Sequence, residues 1–180
     1  MFLIFFFMLI FLFSMYQTLN TNTITHDINN FKKAFSQDRK IIGFDVGKKT
    51  LGIAISEPSS NIALTHRTIF RTKLHSDLEI IEKIINENNI VSLVVGLPLN
   101  KDGKKGPMAQ SVITFANALL KRFKLPILLW DERFSTIGII REMKKAGIKK
   151  KEIEKNIDSA SATWILQCAL DSLNNIKSTK

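Results

Sequence analysis

An acid set inside an otherwise apolar hairpin constrains this chain more than any other feature. Residues Ile41 to Ser56 read Ile-Ile-Gly-Phe-Asp-Val-Gly-Lys-Lys-Thr-Leu-Gly-Ile-Ala-Ile-Ser: an apolar strand with one carboxylate, a glycine turn and a second apolar strand. A carboxylate in such a strand costs free energy unless something binds it, and a divalent cation held by oxygen is the simplest partner for Asp45. An Asp that only caps the turn is the plainer alternative. Gly43, Gly47 and Gly52 leave room for another backbone or a phosphate to come close.

After the hairpin, Ala63 to Phe70 reads as a third antiparallel strand and completes a meander. Leu74 to Glu87 spaces Leu74, Leu78, Ile81, Ile84 and Ile85 for an amphipathic helix, ended by Asn88 and Asn89. Val91 to Leu97 is nearly all apolar and stops at Pro98, the pattern of a central parallel strand buried on both faces. A loop from Pro98 to Pro107 leads to a second helix, Met108 to Phe123, and then to the strand Ile127 to Trp130. A short helix is expected over Ser135 to Lys145, and a last one from about Lys150 to Asn174. This order predicts an α/β fold with a mixed five-stranded sheet flanked by helices.

The first 38 residues differ in kind. Met1 to Phe13 is unbroken Phe, Leu, Ile and Met, and a polar Thr/Asn stretch follows it. The run is shorter than the roughly 20 residues that span a bilayer. It has no preceding Lys or Arg and no small-x-small cleavage site close behind, as a signal peptide would. A signal or anchor, a low-complexity extension and translated sequence ahead of the true start, with Met15 as one candidate, are the readings. The last is preferred. Residues 1–38 are therefore expected to be a leader outside the fold, and 39–176 a single domain without stable membrane association.

Twenty-six Lys and Arg against 16 Asp and Glu give a net charge of +10, which favours a polyanionic partner. Three histidines and the single Cys168 offer no zinc-like spacing, so a metal here should be hard and oxygen-bound. Cys168, in an apolar helical context, is expected in the core.

Three acidic features fall at the expected carboxyl edge of the sheet: Asp45, the pair Asp131 and Glu132 just past the last strand, and Asp158 on the final helix. Asp is a poor residue for a helix interior, and the small Ser161 and Ala162 would let that helix lie close to the strands. A solvated surface Asp158 is the alternative. Strand alternation lets only one of Asp131 and Glu132 point into the site. Glu132 is chosen, with Asp131 in reserve as a partner of Arg133 or a loop anchor. Carboxylates converging on Mg2+ or Mn2+ suit phosphodiester hydrolysis. Lys48, Lys49, Lys101, Lys104 and Lys105, in the two loops at that edge, would supply phosphate contacts.

Four stretches in order resemble the YqgF-type pre-16S rRNA nuclease family, also described as Holliday junction resolvase-like proteins of the ribonuclease H fold. They are Gly43 to Gly47, Val94 to Asn100 with Gly103 and Gly106-Pro107, Trp130 to Thr136, and Ile157 to Ala162. The resemblance covers Lys40 to about Asn174. It implies a ribonuclease H-like fold, bacterial cytoplasm and a metal-dependent nuclease maturing the 5' end of 16S ribosomal RNA. It also implies metal ligands at Asp45, Glu132 and Asp158, with Arg133 beside the nucleic acid, and precursor rRNA, branched DNA or ribosomal particles as partners. Thr50 stands where the family usually carries a basic residue, and members generally begin only a few residues before the first strand.

Two other classes compete. Sugar kinases and actin-like ATPases use a similar Asp-x-Gly hairpin but need two such lobes, and no second hairpin appears here. A catalytically silent RNA- or ribosome-binding module would keep every acid and lose only the geometry.

Overall fold

The computed structural model describes residues 23–34, 40–57, 62–133 and 150–176, with side chains in the last stretch from 161 onward. The elements are β1 (Ile24–Thr25), α1 (Ile28–Lys33), β2 (Lys40–Val46), β3 (Thr50–Ser56), β4 (Ala63–Phe70), α2 (Leu74–Asn88), β5 (Ile90–Leu97), α3 (Pro107–Phe123), β6 (Ile127–Asp131) and α4 (Lys150–Asn175). The helix expected over 135–145 lies outside the described residues.

The strands form one sheet in the order β1-β6-β5-β2-β3-β4. β2, β3 and β4 are antiparallel neighbours, while β5 runs parallel to β2, and β6 parallel to β5. The carboxyl ends of β2, β5 and β6 therefore share one edge, as expected from two crossovers over a meander. At the β2–β5 register shift beside Lys40 and Ile41, the Ile41 N–H donates instead to Ser56 Oγ at 2.9 Å.

Alternation along the strands divides the core in two. Ile42, Phe44 and Val46 of β2, Leu93, Val95 and Leu97 of β5, and Ile127 and Leu129 of β6 pack with Ile81, Ile84 and Ile85 of α2 and Val112, Phe115 and Leu119 of α3. The rings of Phe44 and Phe115 meet edge to face with centroids 6.1 Å apart. On the opposite face Ile41, Val94 and Leu128 receive α4, whose Ala162, Ile165, Leu166, Ala169, Leu170 and Leu173 form its apolar stripe. Asn89, in the left-handed region at φ 53°, ends α2 as its short polar side chain permits, and Pro107 opens α3.

The expectation that residues 1–38 lie outside the fold requires correction for 24–33. β1 adds a sixth strand parallel to β6, pairing Ile24 with Ile127 and Thr25 with Leu128. Asp27 caps α1 by accepting from the Asn29 N–H at 2.8 Å. Phe31 is fully buried in the core beneath α4, and Lys32 Nζ donates to Leu173 O and Ile176 O at 3.1 and 2.8 Å. The physical reasons are an edge and a terminus. Without β1 the outer edge of β6 would lack this pairing, and the last carbonyls of α4 need donors that the helix cannot supply. Cys168 is also corrected: it is partly exposed on a cleft rather than in the core.

Candidate active site

Asp45 belongs to the face of β2 that meets α4, two residues beyond Gly43. A Cβ on Gly43 would come within 2.7 Å of Leu166 Cβ, and one on Gly52 within 3.3 Å of Ala162 Cβ. The glycines thus admit a helix and not a phosphate at these two positions. That close approach brings Ser161 over the sheet, where its hydroxyl donates to Asp45 Oδ2. A polar cavity of about 40 Å3 opens beside this pair, lined by Thr50, Thr65, Thr68 and Thr163 as well as Asp45 and Ser161.

Glu132 follows β6 and lies over Gly96 of β5. A Cβ at Gly96 would stand 2.6 Å from Glu132 Oε1 and 2.6 Å from Ile165 Cδ1, so this carboxylate occupies the space that a side chain would take. Burial, then the nearby negative charges of Asp45 and Asp131, push the Glu132 carboxyl up to about 7. Like charges near one another in a half-buried site disfavour double ionisation, which an added cation would relieve.

Asp131 turns the other way. Its carboxylate accepts from Arg133 Nε at 3.0 Å and from Nη2 at 2.6 Å, and from the Arg133 backbone N–H at 3.0 Å. Burial raises its carboxyl, but the Arg133 hydrogen bonds and charge outweigh that and hold it below the usual range. Arg133 in turn lies under the loop after β5: Gly103, at φ 81°, would carry a Cβ 3.5 Å from Arg133 Nη1. That loop is closed by Gly103 N–H to Asn100 O and Asn100 N–H to Lys104 O, at 2.8 and 3.0 Å.

The structure therefore brings Asp45 and Glu132 together from separate strands. Asp158 stands one turn before Ala162 on the α4 backbone, and its side chain lies outside the described residues. Among the described residues no three His, Cys, Asp or Glu side chains group closely enough to hold a metal ion. Lys48 and Lys49 lie exposed on the turn after β2, and Lys101, Lys104 and Lys105 exposed on the loop after β5, at the same edge. Lys104 Nζ pairs with Asp102 at 3.2 Å on the surface, which reduces its availability to a phosphate. A cleft of about 1170 Å3, lined by Trp130, Asp131, Lys105, His26 and the far half of α4, lies beside the carboxylate pair and includes neither Asp45 nor Glu132. Sequence reasoning passed over Ser161, noting only its size. A hydroxyl one turn beyond Asp158, on a helix whose small residues suit close packing, was the available signal.

A mixed sheet with these crossovers, antiparallel over β2 to β4 and parallel over β2, β5 and β6, defines a ribonuclease H-like fold. The fold matches that of Thermus thermophilus RuvC, solved with a Holliday junction substrate, with a TM-score of 0.54 at 10% identity, covering 77% of this chain and 97% of that one. The chain belongs to the RuvX family, described as Holliday junction resolvase, whose sequence model matches residues 39–172. Relatives named "Putative pre-16S rRNA nuclease" include one from Rhodobacter capsulatus, 40% identical over 83% of this chain and 94% of its own. Another, from Thermoanaerobacter pseudethanolicus, is 43% identical over 76% of this chain and 99% of its own. A third, from Paracoccus denitrificans, is 37% identical over 157 residues, 87% of this chain and 99% of its own. That alignment leaves 23 of the 180 residues outside it, so it takes in residues ahead of position 39 even if it runs to Lys180. Part of the segment ahead of β2 is thus shared with that relative.

Proposed function

We propose that this protein is a metal-dependent endonuclease that hydrolyses phosphodiester bonds in nucleic acid and matures the 5' end of 16S precursor rRNA in the cytoplasm. The observation that carries the reading is the meeting of Asp45 and Glu132 at the carboxyl edge of the parallel strands, with Glu132 raised to about 7. Asp45 and Glu132 would supply oxygen donors of the kind that suits Mg2+ or Mn2+, and Asp158 on α4 would add a third. When bound, such a cation supplies Lewis-acid polarisation of the scissile phosphodiester.

The chain's own residues do the rest. Ser161 orients one oxygen of Asp45 and leaves the other free to ligate. Glu132 sheds its proton near neutrality and becomes an anionic ligand above that point. Lys48, Lys49, Lys101 and Lys105 bind flanking phosphates, and Arg133, clamped by Asp131, braces the loop that carries three of the five lysines. Among the described residues no helix is long and apolar enough to cross a membrane. The family description supports a second substrate, the four-way DNA junction, and ribosomal particles are the partners that the rRNA reading entails.

The test compares wild type with Asp45→Asn on a 16S precursor fragment and on a four-way junction, each with Mg2+, Mn2+ or EDTA. Metal-dependent cutting of the precursor, lost by at least about 100-fold in the variant, is expected. Tight binding without cutting would make the protein a silent binding module; cutting of the junction alone would make it a resolvase.

A further inference from the structure

Arg71 stands outside every motif that marks the site, yet it is bound to the turn that carries Lys48 and Lys49. Its backbone N–H donates to Lys49 O at 2.9 Å, and its Nη1 to Gly47 O at 2.9 Å. On its other side Nε lies 3.6 Å from Asp77 Oδ2, and the guanidinium carbon sits 5.4 Å from the centroid of the Phe115 ring. Asp77, in the first turn of α2, is only 1% exposed, and accepts from the Thr72 N–H and hydroxyl at 3.1 and 3.4 Å.

A carboxylate this buried persists when it is paired and hydrogen-bonded, and Arg71 supplies the charge. The planar fork of arginine has donors to spare, so one guanidinium joins α2, the α3 aromatic and the hairpin turn at once. Charge neutralisation alone would not need the contact to Gly47. The turn is tight: Gly47 N–H donates to Thr50 O at 2.9 Å, and a Cβ on Gly47 would also come within 2.9 Å of that oxygen. With the carbonyls at both Gly47 and Lys49 engaged by one residue, the backbone from which Lys48 and Lys49 project is held at two points.

We infer that Arg71 is a positioning residue for nucleic acid: it sets the turn so that Lys48 and Lys49 meet consecutive phosphates beside Asp45. This rests on the nuclease reading above. Arg71 acts through the turn and touches neither substrate nor the carboxylates of Asp45 and Glu132.

The experiment uses Arg71→Met and the milder Arg71→Lys, which keeps the charge but not the fork, in the full chain. Amide hydrogen exchange at Gly47 is read against Leu93, whose N–H donates to Pro126 O in the core. Binding of a 20-nucleotide uridine RNA is followed from 50 to 300 mM salt. Expected in both variants are exchange at Gly47 faster by about tenfold with Leu93 unchanged, and a log–log salt slope shallower by roughly 1. KM should rise with kcat within about twofold. A purely structural role would lower the unfolding midpoint and leave the slope and KM alone; that outcome, or unchanged Gly47 exchange, overturns the inference. Loosened Gly47 in a protein whose wild type binds no RNA at any salt would overturn the nuclease reading first, and the phosphate-positioning role with it.

Discussion

At the scale of single residues, Glu132 is the carboxyl that its surroundings shift furthest among the described residues. An ordinary carboxyl near 4.5 is pushed to about 7 by burial and by Asp45. The sign of the linkage follows. The folded protein holds a proton on Glu132 that the unfolded chain releases, so the associated stability is fully present below about pH 4.5 and is lost as pH rises through about 7. Glu132→Gln removes that dependence. Chemical denaturation of the metal-free protein should find the variant more stable than wild type at pH 8, by ~3 kcal/mol at most, with the gap closing by pH 5. Added Mg2+ should shrink the wild-type deficit at pH 8 and leave the variant nearly unmoved. The pairing of Asp131 with Arg133, away from Glu132, was legible because strand alternation separates adjacent side chains. The vacancy at Gly96 that receives Glu132 was not, because a glycine in an apolar strand does not say which neighbour will fill its space.

At the scale of elements, the strands and long helices were legible from periodicity, to within a residue or so at each boundary. β5 reads as apolar because both its faces are covered, and α4 shows its stripe from Ala162 to Leu173. The segment 24–33 was misread because a polar Thr/Asn setting hides a sparse pattern: Ile24, Ile28 and Phe31 recur at helix-like spacing, and only one of them is fully buried. A two-residue strand has too little sequence to announce itself, and its pairing partner lies about 100 residues away. Because residues 24–33 pair with β6 and pack beneath α4, removing residues 1–38 should destabilise the domain. Phe31→Ala should cost ~3–5 kcal/mol, seen as a lower urea midpoint at an unchanged slope of stability against denaturant. A change in that slope would mean instead that the segment already frays from the wild-type domain.

For the molecule as a whole, the excess of ten positive charges becomes informative only once the fold places some of them. Net charge predicts attraction to any polyanion, whereas exposed lysines on the turn after β2 and the loop after β5 put it beside Asp45 and Glu132. Reversing Lys48 and Lys49 to Glu should therefore weaken RNA binding steeply at 50 mM salt and much less at 300 mM, measured by fluorescence anisotropy. The same reversal at Lys32 is unsuitable as a control, because its ammonium is tied to the last carbonyls of α4; Lys121, on the exposed side of α3, is suitable and should leave affinity near wild type. Substrate identity was the least legible property. Backbone charge is common to RNA and to DNA junctions, and nothing in residue spacing distinguishes them.

The face of the sheet that bears Asp45 is closed by α4, far along the chain from the strands it covers. Gly43 meets Leu166, Gly52 meets Ala162, and Phe31 of the segment ahead of the sheet is sealed beneath that same helix. During translation, the early strands must therefore wait, with one apolar side bare, until α4 has left the ribosome. A product cut short before Ser161 would have its acid unbraced and its sheet uncovered on that side, a substrate for chaperones and proteases rather than a stray hydrolase.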